Sequence, residues 1–497
     1  MSISNTAGVP AAPLSHSEVR LIIIGILVAM LLAALDQTIV VTAMPTIGRA
    51  LGDVGYLPWV VTAYLLTATA VTPLYGKVSD IVGRRTTLMF AITIFVAGSV
   101  ACAVSPNMLI LILARALQGL GGGGLISLAQ TIIADIVSPK ERPRYQAYIA
   151  GVFVTSSIAG PVLGGFLAEH LHWSFIFWLN IPLGLLAFLM TNGLLKKLPR
   201  HERPHRLDFL GAAIMASATV TLMLALNWGG IHYPWASYQI MGLLAVSALL
   251  WVSFVLRIIS APEPLIPTEV LSHPVVALGI LTACLGMGVF IGLTAFLPIY
   301  LELVYGLTSS FSGLALMPYM VGTVTGATIA GRLMGVMQHY KQMPTMGLAV
   351  AAAGLAGLAL APHGFSLTPL EVILASTSIG LGSILPVTTV AIQNAVLPHQ
   401  MGTATGTMNF FRSLGGALIV AAFGAVVYTQ VPHLATSTVS LERLADTSSQ
   451  RASEVVAAFR SVFGLAAVIL ALALGFFMRM PEIPLRTNVG PERATTE

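Results

Sequence analysis

About fourteen apolar runs, each close to 20 residues long, dominate this sequence. A helix of roughly 20 residues is what crosses the hydrocarbon core of a bilayer. Of the 497 residues, 56% are hydrophobic and 9% are charged, whereas soluble domains carry roughly 25% charged residues. The sequence therefore predicts an all-α, polytopic membrane protein with 14 transmembrane helices. In such a protein the net charge of +5 does not indicate nucleic-acid binding.

The positions of Lys and Arg between the runs predict the orientation. Most of these residues fall in loops on the side that also holds both termini, and such loops tend to stay cytoplasmic. The exceptions are four residues in outer loops and two within spans: Arg49, Arg443, Arg451, Arg460, Arg115 and Arg412. We therefore expect a multi-pass protein of the cytoplasmic (inner) membrane with both termini in the cytoplasm.

Two linkers divide the chain. One is basic, at 196–206, and the other is rich in proline, at 259–274. We predict a six-helix bundle at 1–195, a linker with two inserted helices at 196–258, a second six-helix bundle at 259–480 and a cytoplasmic tail at 481–497. Weak echoes of the first half in the second, such as the glycines at 402–406, are typical of transporters whose substrate site lies near the midplane.

Asp36 lies within the first apolar run and is the most informative residue. Placing Asp at the centre of a membrane helix costs about 2.5–3.5 kcal/mol, so such an acid is functional by default. Arg115 lies within the fourth run. Because a buried Arg cannot lose its proton, it must find an anion or line a wet cavity.

The short segment at 76–85 holds glycines that permit a tight turn and charges that can pair. Asp80 and Arg84 are four residues apart and would face each other on a helical turn. Asp135, near the same end of the fourth span, is placed to meet them. The predicted gating residues here are Gly76, Asp80, Gly83, Arg84, Arg85 and Asp135; the alternative is a basic anchor that only sets topology.

The fifth span is dense in small residues and proline, which predicts a hinge or a close helix seam. The alternative is ordinary small-residue packing, which is common in membranes. The residues concerned are Gly151, Gly160, Pro161, Gly164 and Gly165.

Polar residues in other spans complete the candidate set. Glu302 comes late in the ninth span and is either a substrate or proton residue or an interfacial helix end. Arg412 is interpreted as snorkelling toward the cytoplasm. The candidate substrate-binding residues are Asp36, Gln37, Gln118, Asn180, Glu302 and Asn409. No set of residues has the spacing of a metal site, and the glycines at 121–124 lack the Lys-Ser/Thr of a nucleotide loop.

In order and spacing, four segments resemble those of the major facilitator superfamily, in its fourteen-helix drug:proton antiporter branch. They are the first-helix segment at 35–45, the loop at 76–85, Arg115 with Gln118 and Gly119 in the fourth span, and the glycine pattern from Gly151 to Gly165 in the fifth. The resemblance covers essentially the whole chain and implies the major facilitator fold. This sequence departs from the branch at Ser156, Ser174 and Glu302.

The resemblance implies a role for each segment. Asp36 would be the proton-coupling acid, assisted by Arg115. Asp80, Arg84 and Asp135 would form a charge lock at the cytoplasmic side. Gly160 and Pro161 would support antiport rather than leak.

We therefore expect a proton-coupled exporter of small amphipathic, cationic compounds that is not an enzyme. It would use no cofactor, only the proton gradient. Its partners would be substrates, protons and the lipid bilayer, with no nucleic acid; it would be a monomer, and an adaptor in the periplasm is left open. The alternatives are a dedicated exporter of an amino acid, siderophore or lipid, and a membrane sensor that has lost transport.

Overall fold

The computed structural model of the protein describes residues 16–197, 207–337, 339–362, 365–431 and 449–486, and it is helical almost throughout. The first half contains α1 His16–Leu51, α2 Leu57–Val82, α3 Arg84–Ala103, α4 Met108–Ile136, α5 Arg142–His170, α6 Phe175–Trp178 and α7 Asn180–Leu194.

Two further helices follow, and then the second half. These are α8 Phe209–Trp228, α9 Tyr238–Ser260, α10 Thr268–Ser272, α11 Pro274–Tyr305, α12 Ser309–Ala315, α13 Met317–Met334, α14 Gln342–Leu360, α15 Leu367–Ala395, α16 Met401–Gln430 and α17 Ser449–Arg479.

The prediction of 14 membrane spans and an all-α fold is confirmed: 14 helical segments of the described residues are long and apolar enough to cross a membrane. Two of them are broken. The sixth span consists of α6 and α7, and the tenth consists of α12 and α13. The break before α7 brings the polar residue Asn180 to a helix start inside the bundle.

The segment at 76–85 is more helical than expected. α2 runs on to Val82, and α3 begins at Arg84, so Gly83 alone makes the turn. Gly83 has φ +98°, a left-handed conformation that costs glycine little. Gly76 lies inside α2, so the prediction that it supplies the turn is wrong.

The first helix is also longer than expected. α1 continues through Pro45 to Leu51, because neighbouring helices in a membrane bundle tolerate an internal proline. Arg49 therefore lies in the last helical turn rather than in a loop.

Each half has its own apolar core. In the first half, buried residues of α1 to α5 and α7 pack together; in the second, the largest core draws on α11 to α17. The two halves share one arrangement: α5 packs against α1 through Gly160, and α16 packs against α11 through Gly415. The boundaries of the divisions remain a prediction, and 198–206 and 487–497 lie outside the described residues.

The inserted helices α8 and α9 pack on each other and against both halves. Ser247 Oγ donates to the carbonyl of Ala218, which joins the pair. Trp228 of α8 meets Trp59 of α2 at 5.7 Å between ring centroids, and Trp251 of α9 meets Phe410 of α16 at 6.1 Å. The insert therefore covers one side of the junction between α2 and α16.

The contacts between the two halves lie at one end of the bundle, which carries the 76–85 segment and is called the loop end here. There α2 meets α16 at Gly76 and Gly402, and α5 meets α13 at Pro143 and Gly331. α1 begins and α17 finishes at this same end. The halves are thus held together at the loop end.

Candidate functional site

The carboxylate of Asp36 is enclosed by four polar side chains of the first half. Its Oδ2 accepts a hydrogen bond from Arg115 Nη1 at 2.6 Å. Its Oδ1 accepts from Gln118 Nε2 and from Asn180 Nδ2, both at 2.8 Å. Ser99 Oγ in turn accepts from Gln118 at 2.8 Å and from Asn180 at 3.3 Å. These charge-assisted bonds from α4 and α7 fix the acid firmly on α1.

Besides Asp36, Arg115 contacts further groups on α2 and α4. Nη1 also donates to Gln118 Oε1 at 2.6 Å, and Nε donates to the carbonyl of Val60 at 2.9 Å. The guanidinium carbon lies 4.4 Å from the centroid of the Tyr64 ring, a cation–π contact. Arg115 therefore ties α1, α2 and α4 together at the level of Asp36.

This cluster is sealed. Asp36 and Gln118 are 0% exposed, and Arg115 and Asn180 are 1% exposed. Three residues predicted to bind substrate thus face the interior of the first half, where they bond to one another. Gln37, also predicted to bind substrate, is half-buried and diverges from Asp36 by about 100° around the helix.

Ser99 and Tyr64 belong to the cluster but were missed in the sequence. A Ser inside an apolar helix commonly bonds a carbonyl of its own helix, and Ser99 Oγ does donate to the carbonyl of Phe95. Its second role as an acceptor leaves no trace in the sequence. The sequence likewise cannot distinguish a buried Tyr that contacts Arg115 from a Tyr that only packs in the core.

The seam between α1 and α5 begins about half a turn from the acid. Thr38 Oγ1 donates to the carbonyl of Ser156 at 2.9 Å. A Cβ on Gly160 would collide with the side chain of Thr38, and one on Gly164 would collide with Thr42 and with the carbonyl of Ile39. Gly160 and Gly164 are therefore where α5 approaches α1 most closely.

The other members of the fifth-span pattern lie elsewhere. A Cβ on Gly151 or Gly165 would meet nothing within 4 Å, and Pro161, about 100° around α5 from Gly160, is exposed. The close seam thus involves two of the five residues, while the other three face away from it.

A second charge cluster occupies the loop end. Arg84 Nη1 pairs with Asp80 Oδ1 at 2.5 Å, and Arg84 Nε pairs with Asp135 Oδ2 at 2.7 Å. Asp80 also reaches the second half, since its Oδ2 accepts from the backbone N–H and the hydroxyl of Thr403, both at 2.7 Å. The structure therefore brings together Asp80, Arg84 and Asp135 and joins them to the start of α16.

Gly76 and Arg85 contribute differently from each other. A Cβ on Gly76 would collide with the carbonyl of Gly402, so Gly76 permits α2 and α16 to touch. Arg85 lies outside the charge cluster: its Nε and Nη2 donate to the backbone and side-chain oxygens of Asn192, at 2.8 and 2.6 Å. Arg85 thus fastens α3 to α7 within the first half.

In the second half, Arg412 is buried and Asn409 is half-buried, both near the junction between the halves. Asn409 Nδ2 donates to Gln130 Oε1 of α4 at 2.8 Å, a link across the halves that the sequence did not suggest. Arg412 Nη2 donates to Thr389 Oγ1 at 2.8 Å, and the residue is 8% exposed. The prediction that Arg412 snorkels to the surface is wrong, because the residue is buried and its Nη2 donates to hydroxyl and carbonyl groups of α15. Its Nε is buried without a hydrogen-bond partner among the described residues.

Glu302 lies at the other end of the bundle from the loop end. It is four residues before Gly306, which ends α11 in a left-handed conformation, and its Oε1 accepts from Ser312 Oγ at 3.0 Å. Glu302 is therefore separate from the Asp36 cluster. Within the described ranges, no group of three or more His, Cys, Asp or Glu residues could hold a metal ion.

The geometry describes a helical membrane protein whose halves meet at one end and whose first half buries an ion pair. The sequence profile of the Major Facilitator Superfamily matches residues 26–420. The chain belongs to the major facilitator superfamily and is a transporter of that class.

Several curated proteins resemble this chain over most of its length. Multidrug transporter protein MdtP of Bacillus subtilis (strain 168) is 33% identical over 85% of this chain and 77% of its own. Multidrug resistance protein 3 of the same organism is 33% identical over 83% of this chain and 80% of its own. Multidrug resistance protein fnx1 of Schizosaccharomyces pombe is 33% identical over 78% of this chain and 75% of its own.

Solved structures share the fold at low identity. The proton:xylose symporter XylE, bound to 6-bromo-6-deoxy-D-glucose, superposes with a TM-score of 0.62 at 15% identity over 94% of this chain and 96% of its own. The human organic anion transporter MFSD10 gives a TM-score of 0.62 at 19% identity over 91% of this chain and 99% of its own.

Proposed function

We propose that this protein exports small amphipathic, cationic compounds across the cytoplasmic membrane in exchange for protons. The observation that carries the proposal is the sealed pair of Asp36 and Arg115 in the first half of a chain whose relatives are named multidrug transporters. An acid buried against a fixed cation can take up a proton only if the pair loosens. A change in the charge state of Asp36 is thereby linked to the packing around it.

Competition for Asp36 is indirect in this proposal. Because Asp36 is 0% exposed and its oxygens are occupied by the first half, a drug in a cleft between the halves cannot touch it in this arrangement. Proton and drug instead compete by favouring different arrangements of the two halves. A ligand shifts such an equilibrium only through its differential affinity for the two states.

Two helices carry the linkage. α1 bears Asp36 and, half a turn later, Thr38, which bonds to α5 at the glycine seam. α4 bears Arg115 and, about 30 Å along the helix axis, Asp135, which bonds to Arg84 at the loop end. Protonation of Asp36 frees Arg115 and so permits α1 and α4 to move relative to each other, which weakens the closure at the loop end.

With both termini in the cytoplasm, the arrangement seen here is the outward-facing one, closed toward the cytoplasm. Closure rests on Asp80 and Thr403 and on Gly76 against Gly402. Opening at this end would admit drug from the cytoplasm or the inner leaflet. The inward proton gradient then drives the cycle toward export.

The substrate class is tested with purified protein in liposomes and a panel of cationic, neutral and anionic dyes under an imposed proton gradient. We expect movement of several unrelated cationic dyes and much slower movement of anionic ones. Movement of one compound alone would favour the dedicated metabolite exporter. Movement of none, with the protein correctly inserted, would favour the sensor.

A further inference from the structure

A small cavity lies between the two halves at the loop end, and the site already described does not use it. Its volume is about 20 Å³. Pro139 and Arg142 line it from the first half, and Gln393, Met401 and Arg486 line it from the second. A cavity needs roughly 10–15 Å³ to hold one water-sized particle, so this one has room for a single small ion.

Arg142 presents one free nitrogen here. Its Nε donates to the carbonyl of Val137 at 3.0 Å, and its Nη2 donates to the carbonyl of Ala134 at 2.6 Å. Its Nη1 is buried without a hydrogen-bond partner among the described residues, and the residue is 3% exposed. Two nitrogens thus hold the last turn of α4, and the third is left for the cavity.

The segment that follows α17 carries Arg486 to the same cavity, and hydrogen bonds hold this segment in position. After α17, the chain turns back beneath the second half, where Tyr340 Oη donates to the carbonyl of Ile483 at 3.1 Å. Asn394 Nδ2 donates to the carbonyl of Pro484 at 3.0 Å, and Asn394 Oδ1 accepts from the backbone N–H of Arg486 at 3.2 Å. The described residues offer the Arg486 guanidinium no hydrogen bond.

Two guanidinium groups therefore line one cavity, and none of the described residues on its walls carries a carboxylate. Asp135 lies near this end of α4, but its Oδ2 is bound by Arg84 at 2.7 Å. A buried positive charge without a partner is costly, since a buried group needs both a counter-charge and hydrogen bonds. An anion in the cavity would supply both to Arg142 Nη1 and to Arg486.

We propose that this cavity binds one small monovalent anion of chloride size. The volume of about 20 Å³ favours an ion of this size over a phosphate or a lipid headgroup. Because its walls come from both halves, the complete site exists only while the loop end is closed. A bound anion therefore stabilises the closed arrangement, as any ligand stabilises the state that binds it.

The test uses the purified full chain in detergent. Sodium chloride is titrated against sodium gluconate at constant ionic strength, and both the thermal unfolding midpoint and the binding of radioactive chloride are measured. For the wild type we expect a saturable rise in the midpoint with chloride only, with about one chloride bound per chain.

The informative variant is Arg486→Gln, because the Arg486 side chain supports no other described contact. We expect at least about a tenfold increase in the half-saturating chloride concentration, the effect of losing one hydrogen bond to a charged group. Arg486→Lys, which keeps the charge, should retain most of the response. Arg479→Gln is the matched control, since Arg479 is exposed at the same end but does not line the cavity.

Arg142 is left intact because its loss would also free the end of α4. Equal stabilisation by chloride and gluconate, or an unchanged response in Arg486→Gln, would overturn the proposal. Stronger stabilisation by sulfate or phosphate than by chloride would overturn the assignment of a small monovalent ion. None of these outcomes depends on what the protein transports.

Discussion

At the scale of single residues, Asp36 and Arg115 form a buried ion pair, and either charge would be costly to leave unpaired. Both side chains are at most 1% exposed, and Arg115 Nη1 lies 2.6 Å from Asp36 Oδ2. Removing one partner of a buried pair leaves an uncompensated charge, which costs about 3–5 kcal/mol. The surrounding amides of Gln118 and Asn180 satisfy the remaining lone pairs of the acid.

This pairing predicts strong coupling between substitutions. Arg115→Gln should lower the free energy of unfolding by about 3 kcal/mol, because Asp36 keeps its charge without a cation. The double variant Asp36→Asn/Arg115→Gln should regain most of that loss, since no isolated charge remains. The measurement is thermal or denaturant unfolding in detergent, and losses that simply add would contradict the pairing.

The sequence identified Asp36, Arg115, Gln118 and Asn180 one by one, because each is a polar residue in an apolar run. It could not show that they face inward and bond to one another. Helices that are apolar on all sides give no periodic signal for which side faces the core. The same lack of signal explains why Arg412 was wrongly predicted to snorkel.

At the scale of helices, the seam between α1 and α5 lies beside the Asp36 cluster. Its closeness depends on two glycines, whose positions along α5 are one turn apart. A methyl group at Gly164 would meet the backbone carbonyl of Ile39, which cannot rotate away. Overpacking of this kind costs about 1–3 kcal/mol.

We therefore expect Gly164→Ala to lower the unfolding midpoint and to reduce transport at least severalfold. Gly165→Ala is the matched control: it makes the same change on the next residue, where a Cβ meets nothing within 4 Å. Transport by both variants is measured in liposomes at equal protein content. Equal activity of the two variants would show that the close seam has no part in transport.

Gly151→Ala separates packing from flexibility. Its Cβ would also meet nothing, so a role limited to packing predicts wild-type transport and slightly higher stability of α5. Rates are compared with the wild type in the same liposome assay. Loss of transport without loss of stability would instead show that α5 must bend at this position.

At the scale of the whole molecule, the loop end determines which side is open. Asp80 accepts three hydrogen bonds from Gly402 and Thr403, residues more than 300 positions later in the chain. Sequence spacing suggested the local pair of Asp80 with Arg84 but gave no indication of these partners in the second half. Contacts between halves are long-range and leave no periodic pattern.

Asp80→Asn should therefore shift the population toward opening at the loop end. Charge-assisted hydrogen bonds contribute about 1.5–3 kcal/mol each, so a shift of tenfold or more is expected. Distances between spin labels at positions 140 and 335, which lie on opposite halves, would report it. Arg85→Gln is the control, because the hydrogen bonds of Arg85 to described residues stay within the first half. An equal shift in both variants would contradict the assignment.

The central claim is that the charge state of Asp36 couples proton entry to drug exit. The most direct measurement follows a cationic dye in liposomes under an imposed proton gradient, for the wild type, Asp36→Asn and Glu302→Gln. We predict that gradient-driven movement is lost in Asp36→Asn and retained in Glu302→Gln, whose side chain bonds to Ser312 away from the cluster. Equal gradient-driven movement by Asp36→Asn and the wild type, with both inserted to the same level, would contradict the account.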